Sequence, residues 1–182
     1  MSDIESRLLE VIRKRSFRRG HFKLASGAES TFYFNLKPTM MDPEGAYLSA
    51  QALLARVKAQ SPDYVGGLEM GAVPVIACIA ALSFADGKPV KTFFVRKQAK
   101  DHGTQDLVEG LMAGESLTGQ RVMIVDDVAT SGGSIVKAAE AARQAGATVD
   151  CALVIIDREE GATEALAPHG IRLLSVLKKS QF

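Results

Sequence analysis

The sequence is poor in cysteine, and its two thiols stand far apart. Only Cys78 and Cys151 occur among 182 residues, and neither belongs to a CxxC pair or to a Cys/His spacing typical of metal sites. Both lie in apolar surroundings, so we expect buried structural thiols rather than a disulfide, a metal site or a nucleophile. Redox chemistry is not indicated.

Long apolar runs and an excess of charge are also missing. The longest apolar stretches, such as residues 73–82, are far shorter than a membrane span. Residues 1–10 carry acids where a secretory signal would have a basic and then an apolar region, so we expect a cytoplasmic protein with no membrane partner. A net charge of +1 gives no general attraction to nucleic acid.

Charge is nevertheless uneven near the N-terminus. The basic residues there are Arg13, Lys14, Arg15, Arg18, Arg19, His21 and Lys23. Such a cluster is usually a solvated helix end, and we expect no nucleic-acid partner.

The chain has the size and apolar content of one α/β domain. Its 182 residues are 47% hydrophobic, which is enough for one core over residues 1–182. Short apolar runs predict strands at 64–68, 91–95, 121–125 and 149–156, and helical patterns predict helices at 72–84 and 134–145. This alternation indicates a mainly parallel sheet with right-handed crossovers.

The N-terminal part has a different pattern. Apolar residues from Ile4 to Ile12 fall on one helical face, and we expect this first helix to end near Gly20. Alternating apolar residues on either side of 26–30 predict a hairpin. Asp42 followed by Pro43 marks the start of another helix.

The most informative stretch is RVMIVDDVATSGGS at 121–134. Asp126 and Asp127 would lie at the carboxyl end of the 121–125 strand, where open α/β sheets bind ligands. In the loop 128–133, Gly132 and Gly133 allow backbone N–H groups to approach an anion, and Thr130 and Ser131 add hydroxyls. A helix beginning near Ser134 directs its positive end to the same place, so the loop predicts a phosphate site.

The two carboxylates need another partner, because they would repel a phosphate. Ribose hydroxyls, or a metal ion carried by the substrate, satisfy them, so the stretch predicts a phosphosugar ligand. A plain strand-to-helix connection would explain one carboxylate and one glycine but not both pairs. The chain has no GxGxxG, and Ala72 and Val73 stand where a Walker A loop needs Lys and Ser/Thr.

A long segment, 97–119, separates two predicted strands and begins with many charges. Arg96, Lys97, Lys100 and His102 lie within seven residues, and Gly103 could serve as a hinge. Such a segment could close over a polyanion, although a charged loop is often only solvated.

These motifs together resemble a known family. The 121–134 run matches the 5-phospho-α-D-ribosyl 1-diphosphate (PRPP) signature of type I phosphoribosyltransferases. VRKQAKDHGT with VEG, at 95–104 and 108–110, resembles the mobile catalytic loop of orotate phosphoribosyltransferases, and FKLASGAESTFYFNLK at 22–37 is similar to their hairpin. GGLEMGAVP at 66–74 resembles their second βα turn, where a non-proline cis bond often faces pyrophosphate.

IIDREEG at 155–161 matches the strand end that supplies an orotate-binding arginine in that family, here Arg158. Judged without the resemblance, Arg158 could instead form a surface ion pair with Glu159 or Glu160. Some relatives carry a lysine where this chain has Ala25 and Gly71, so no lysine role is transferred to those positions.

The resemblance implies a type I phosphoribosyltransferase fold, with a central mainly parallel sheet flanked by helices. Residues 1–40 would form a hood over the site and residues 60–160 the PRPP-binding core. The implied reaction joins orotate to PRPP and gives orotidine 5′-monophosphate and pyrophosphate. Mg²⁺ would enter with PRPP and have no direct protein ligand. The implied assembly is a homodimer in which residues 97–110 reach the neighbouring site.

The implied roles fall on named residues. Lys100 and His102 would be catalytic, and Thr130 and Arg158 would bind orotate. The PRPP-binding residues would be Arg96, Lys97, Lys100, His102, Asp126, Asp127, Val128, Ala129, Thr130, Ser131, Gly132, Gly133 and Ser134. Two alternatives stay open: a phosphoribosyltransferase for another base, and a non-catalytic PRPP-sensing regulator that binds nucleic acid through the basic N-terminus.

Overall fold

Helices cover both faces of one six-stranded sheet, and a two-stranded hairpin accompanies it. The computed structural model describes residues 1–23, 29–98 and 107–182. Its helices are α1 Asp3–Arg15, α2 Lys37–Met40, α3 Pro43–Gln60, α4 Val73–Ala85, α5 Gly133–Gln144 and α6 Ala162–Leu166. Its strands are β1 Phe17–Lys23, β2 Glu29–Phe34, β3 Tyr64–Leu68, β4 Lys91–Val95, β5 Val108–Glu109, β6 Arg121–Ala129, β7 Thr148–Asp157 and β8 Arg172–Lys178. Two short 3₁₀ turns follow α6 and β8.

The large sheet has the strand order β5-β4-β3-β6-β7-β8. Its pairs are parallel except β4 with β5, which is antiparallel. The predicted mainly parallel α/β sheet is therefore confirmed, and β3 and β4 have the predicted bounds. The structure adds β5, β8 and α6, which the sequence patterns did not predict.

Strand β7 contributes side chains to the hydrophobic clusters on both faces of the sheet. Leu153 and Ile155 pack with the side chains of α1, α3 and α4, whereas Ala152 and Val154 pack with those of α5. Successive side chains of a strand point to opposite faces, and a sheet covered on both faces needs apolar residues at every position. The continuous apolar run of this strand is the result.

The first helix is shorter than predicted. It ends at Arg15 rather than near Gly20, and β1 begins at Phe17. The N–H of Ser16 still donates to the carbonyl of Ile12, but its hydroxyl lies 2.6 Å from the buried hydroxyl of Thr39. The ring of Phe17 then packs against Phe34 of β2, with 5.0 Å between centroids, so tertiary pairing replaces further helix.

Strand β6 is longer than predicted. It runs to Ala129, so Asp126, Asp127 and Val128 belong to the strand, and the expected loop 128–133 shrinks to residues 130–132. The cause is β7, which also extends and keeps the parallel ladder intact as far as the pair Ala129–Asp157. Backbone pairing thus fixes the carboxylates rigidly instead of leaving them on a loop.

The two thiols form no disulfide, and the expected burial holds for Cys151 but only in part for Cys78. Cys151 is buried and Cys78 half-buried, and burial raises the pKa of both thiols. Among the described residues, no helix is long and apolar enough to cross a membrane.

Candidate functional site

The candidate site lies where the carboxyl ends of neighbouring parallel strands meet. Here β3 leads into the turn before α4, β4 leads to Arg96, β6 carries the acidic pair, and β7 leads to Arg158. The backbone N–H of Arg158 donates to the carbonyl of Ala129 at 3.0 Å, which fixes the end of β7 beside the loop after β6. Open α/β sheets bind ligands at this edge.

Asp126 and Asp127 form a linked pair of carboxylates at the end of β6. Asp126 is only 5% exposed, and its Oδ1 accepts from the N–H of Asp127 at 2.9 Å. Oδ1 of Asp127 accepts from the N–H of Val128 at 2.8 Å. The pair is therefore oriented by backbone donors before any ligand binds.

Burial makes the negative charges of this pair costly. It raises the pKa of Asp126 to about 7, and the neighbouring charge of Asp127 adds to this effect. Burial also raises the pKa of Asp127, against the N–H of Val128 and the positive charge of Lys37, which lower it. Sequence reasoning gave Lys37 no role, because it lies far away along the chain, beyond the hairpin.

Gly71 lies directly against both carboxylates. A Cβ atom on this residue would stand 2.9 Å from Oδ1 of Asp126 and 3.0 Å from Oδ1 of Asp127. The same turn contains a cis peptide bond between Glu69 and Met70, at the place where the sequence resemblance put one. The turn after β3 and the end of β6 are thus in close contact, with no side chain of residue 71 between them.

The loop from Thr130 to Gly132 leads into α5 in a form suited to an anion. Gly132 has φ +78°, a conformation that favours glycine, and caps the helix without any side-chain hydrogen bond. The first turn of α5 has no acidic residue, so its N–H groups and positive dipole end remain available. The Ser134 hydroxyl donates to Oδ2 of Asp126 at 2.6 Å, so it is directed at the acidic pair, whereas no hydrogen bond is described for the hydroxyls of Thr130 and Ser131.

The base of the predicted cationic loop is described, but its centre is not. Nε of Arg96 donates to the carbonyl of Gln98 at 3.2 Å, and its Nη1 lies 3.8 Å from Oε1 of Glu109. The N–H of Lys97 donates to Oε1 of Glu69 at 2.7 Å, which ties this base to the turn after β3. Ala25, Lys100, His102 and Gly103 lie outside the described residues.

Arg158 is buried rather than a surface residue. It is 7% exposed, its Nη2 lies 3.2 and 3.1 Å from the two carboxylate oxygens of Glu160, and its Nε has no hydrogen-bond partner. Arg158 therefore pairs with Glu160, but as a buried guanidinium and not in the surface ion pair that the sequence allowed. The guanidinium also lies 5.0 Å from the ring centroid of Phe32 on the hairpin, a contact that sequence spacing could not reveal.

The acidic pair also has the right chemistry for a substrate-borne Mg²⁺ ion. Carboxylate oxygens are ligands that Mg²⁺ prefers, and it commonly retains waters and substrate phosphates in its coordination shell. Within residues 1–23, 29–98 and 107–182, no group of three or more His, Cys, Asp or Glu side chains is arranged to hold a metal. The carboxylates of Asp126 and Asp127 could accept hydrogen bonds from the waters of a substrate-borne Mg²⁺ ion.

The fold and this edge define a class of α/β proteins with a ligand site at the carboxyl end of a parallel sheet. The model of the phosphoribosyl transferase domain matches residues 44–169. The orotate phosphoribosyltransferase of Rhodopseudomonas palustris (strain TIE-1) is 54% identical over 177 residues, covering 97% of this chain and 95% of the relative. The chain therefore belongs to the phosphoribosyl transferase family, in its orotate phosphoribosyltransferase branch.

Solved structures agree with this assignment. Mycobacterium tuberculosis H37Rv orotate phosphoribosyltransferase in complex with Fe(III) dicitrate is 34% identical, with a TM-score of 0.83 and 97% coverage of both chains. The same enzyme in complex with PRPP is 32% identical, with a TM-score of 0.79 and 97% coverage of both chains. The likeness extends over both the hairpin and the sheet.

Proposed function

We propose that this protein transfers the phosphoribosyl group from PRPP to orotate, giving orotidine 5′-monophosphate and pyrophosphate. The observation that carries the proposal is the buried Arg158 guanidinium, whose Nε lacks a partner, at the strand end next to the acidic pair. A planar guanidinium suits the carboxylate of orotate, which uracil and the purines lack. The relative from Rhodopseudomonas palustris (strain TIE-1), 54% identical over 177 residues, is named orotate phosphoribosyltransferase.

The chemistry demands stabilisation of charge more than proton transfer. The ring nitrogen N1 of orotate attacks the anomeric carbon as an anion, after its proton has been lost to solvent. The bond from that carbon to the pyrophosphate oxygen breaks, and the electron pair of this bond leaves with pyrophosphate. Positive groups must therefore face the leaving group, and water must be kept from the ribosyl cation that develops.

We assign the PRPP contacts to the sheet edge. Backbone N–H groups of residues 130–134, with the hydroxyls of Thr130 and Ser131, would hold the 5′-phosphate, and Thr130 would also reach the base. Asp126 and Asp127 would accept hydrogen bonds from the ribose hydroxyls. Bound with PRPP, Mg²⁺ would offset the pyrophosphate charge, and the carboxylates would reach it through water.

We assign the pyrophosphate contacts to the cationic loop. Arg96 and Lys97 lie at its described base, where Glu69 holds the Lys97 backbone. By resemblance, Lys100 would be the main catalytic cation, and His102 would donate a proton or a hydrogen bond to the leaving group.

The remaining proposals concern assembly and location. We propose a homodimer in which residues 97–110 reach the partner's site, a hood formed by residues 1–40, a core at 60–160, and a cytoplasmic location with Mg²⁺ as the required ion. The contact between Phe32 and Arg158 supports the hood, because it brings the hairpin onto the proposed base site. Sedimentation of the purified protein tests the dimer.

The direct test mixes purified protein with PRPP, Mg²⁺ and orotate and follows the fall in orotate's ultraviolet absorbance. Uracil, hypoxanthine and adenine serve as parallel acceptors. We expect turnover of orotate alone, and only with PRPP and Mg²⁺ both present. Turnover of a different base would assign another transferase, and PRPP binding without any turnover would favour the regulator.

A further inference from the structure

Glu160 lies between two cations at the base of the hairpin. Its carboxylate oxygens are 3.2 and 3.1 Å from Nη2 of Arg158, and Oε1 is also 3.8 Å from Nζ of Lys179. The side chain of Arg158 is 8% exposed, whereas those of Glu160 and Lys179 are 30% and 34% exposed. One carboxylate thus links the buried guanidinium to a lysine nearer the solvent.

Phe32, on strand β2 of the hairpin, contacts the same two cations. Its ring centroid is 5.0 Å from Cζ of Arg158 and 5.1 Å from Nζ of Lys179. An aromatic face attracts cations, so the ring favours positive charge at both positions. The hairpin, the end of β7 and the turn after β8 meet through these four side chains.

The charges of this cluster matter for the substrate proposed above. Arg158 and Lys179 carry two positive charges and Glu160 one negative charge, which leaves one net positive charge. If Arg158 alone faced Glu160, a substrate carboxylate would meet a neutralised guanidinium and a repelling acid. Lys179 supplies the second positive charge, so that Arg158 can be shared between Glu160 and a substrate carboxylate.

We propose that Glu160 and Lys179 are positioning residues that hold Arg158 and set the net charge of the base site for a ligand with one carboxylate. The inference rests on the proposed transfer to orotate. In this proposal Glu160 orients the guanidinium of Arg158, and Lys179 supplies the positive charge that offsets the negative charge of Glu160. Neither residue is required to touch the reacting atoms.

The test is a cycle of charge removal at the two positions, read as KM for orotate and KM for PRPP. Lys179→Gln leaves the cluster neutral, and we expect KM for orotate to rise about three- to fivefold, as for a partly exposed charge pair. Glu160→Gln keeps an oxygen for Arg158 but removes the negative charge, and we expect a lower KM. The double variant restores one net positive charge and should return to within about twofold of wild type.

Matched controls remove the same charges outside the cluster. Lys178→Gln, next to Lys179 in the chain, and Glu164→Gln, at an exposed position of α6, should leave KM for orotate unchanged. A constant KM for PRPP in all variants shows that the fold and the phosphate site are intact. A double variant that keeps the raised KM for orotate of Lys179→Gln would overturn the inference, as would equal changes in both KM values. Failure of the wild type to use orotate would instead reject the proposed function.

Discussion

The hydroxyl of Ser134 donates a 2.6 Å hydrogen bond to Oδ2 of Asp126, and so joins the first turn of α5 to the end of β6. The contact links the proposed phosphate loop to the proposed ribose site. It also lowers the pKa of a carboxyl group that burial otherwise raises. Two motifs that the sequence presents one after the other therefore act as one unit.

Removing this hydroxyl is expected to weaken PRPP binding. Ser134→Ala leaves the Asp126 carboxylate without its side-chain donor, so its pKa should rise further and less of it should be ionised near neutral pH. We expect KM for PRPP to increase about tenfold at pH 7, the scale of a lost hydrogen bond to a charged group. The loss should shrink above pH 8, and Ser134→Thr, which keeps the hydroxyl, should retain near-normal KM. A loss of equal size at every pH would contradict this account.

PRPP binding is also expected to release protons. Ionised carboxylates accept more strongly from ribose hydroxyls than protonated ones do, and burial raises the pKa of Asp126 to about 7, so binding should favour loss of its proton. Calorimetric titration with Mg²⁺ and PRPP at pH 6.5, in buffers of different ionisation enthalpy, counts the released protons. Asp126→Asn should reduce the count relative to wild type. Because PRPP itself also titrates, the difference between the two proteins is the quantity that decides.

The same pKa shift predicts how stability depends on pH. The pKa of Asp126 is higher in the folded chain than its ordinary value of 3.8, so the folded state binds the extra proton. The associated stabilisation is complete below about pH 4 and is lost as pH rises through about 7. Without ligand at pH 8, we expect Asp126→Asn to be more stable than wild type, by on the order of 1–4 kcal/mol. Urea unfolding at pH 4 and pH 8 measures this, and an equal difference at both values would refute it.

We expect any side chain at residue 71 to weaken PRPP binding in this protein. A methyl group would stand about 3 Å from one oxygen of each carboxylate, so the turn or the acidic pair would have to shift. Gly71→Ala should weaken PRPP binding about tenfold, in line with overpacking penalties of about 1–3 kcal/mol. The effect should appear in KM for PRPP more than in Tm. A normal KM for PRPP in this variant would show that a methyl group fits between residue 71 and the two carboxylates, which would contradict the prediction.

The sequence was a good guide where local pattern and tertiary structure agree. Strands β3 and β4 combine apolar runs with clear boundaries, and their ends match the prediction. The DD and TSGG motifs likewise identified the acidic edge, because adjacent carboxylates followed by paired glycines have few structural explanations. The cis bond in the turn after β3 followed from resemblance and not from any local pattern.

Other features depend on partners distant in sequence. Strand β6 continues through Asp126 and Asp127, which alone read as the end of a strand, because β7 supplies ladder partners. Strand β8 mixes apolar and polar residues and lies at the edge of the sheet. It pairs only with β7, so its own residues do not show that it forms a strand. The spacing of Arg158 and Glu160 suggested their ion pair, but Phe32 and Lys179 come from distant segments, so no spacing rule could have found them.

Two substitutions should separate the proposed chemical step from recognition of the base. Arg158→Ala removes the buried guanidinium, and we expect KM for orotate to rise on the order of 100-fold, with KM for PRPP little changed. Lys100→Ala removes a cation that the resemblance places on the pyrophosphate, so kcat should fall on the order of 100-fold, with small changes in either KM. Arg158→Lys keeps the charge but not the planar fork, and should recover only part of the orotate affinity. Steady-state kinetics with each substrate varied in turn measures all three variants, and similar effects of both alanine substitutions on both parameters would contradict these separate roles.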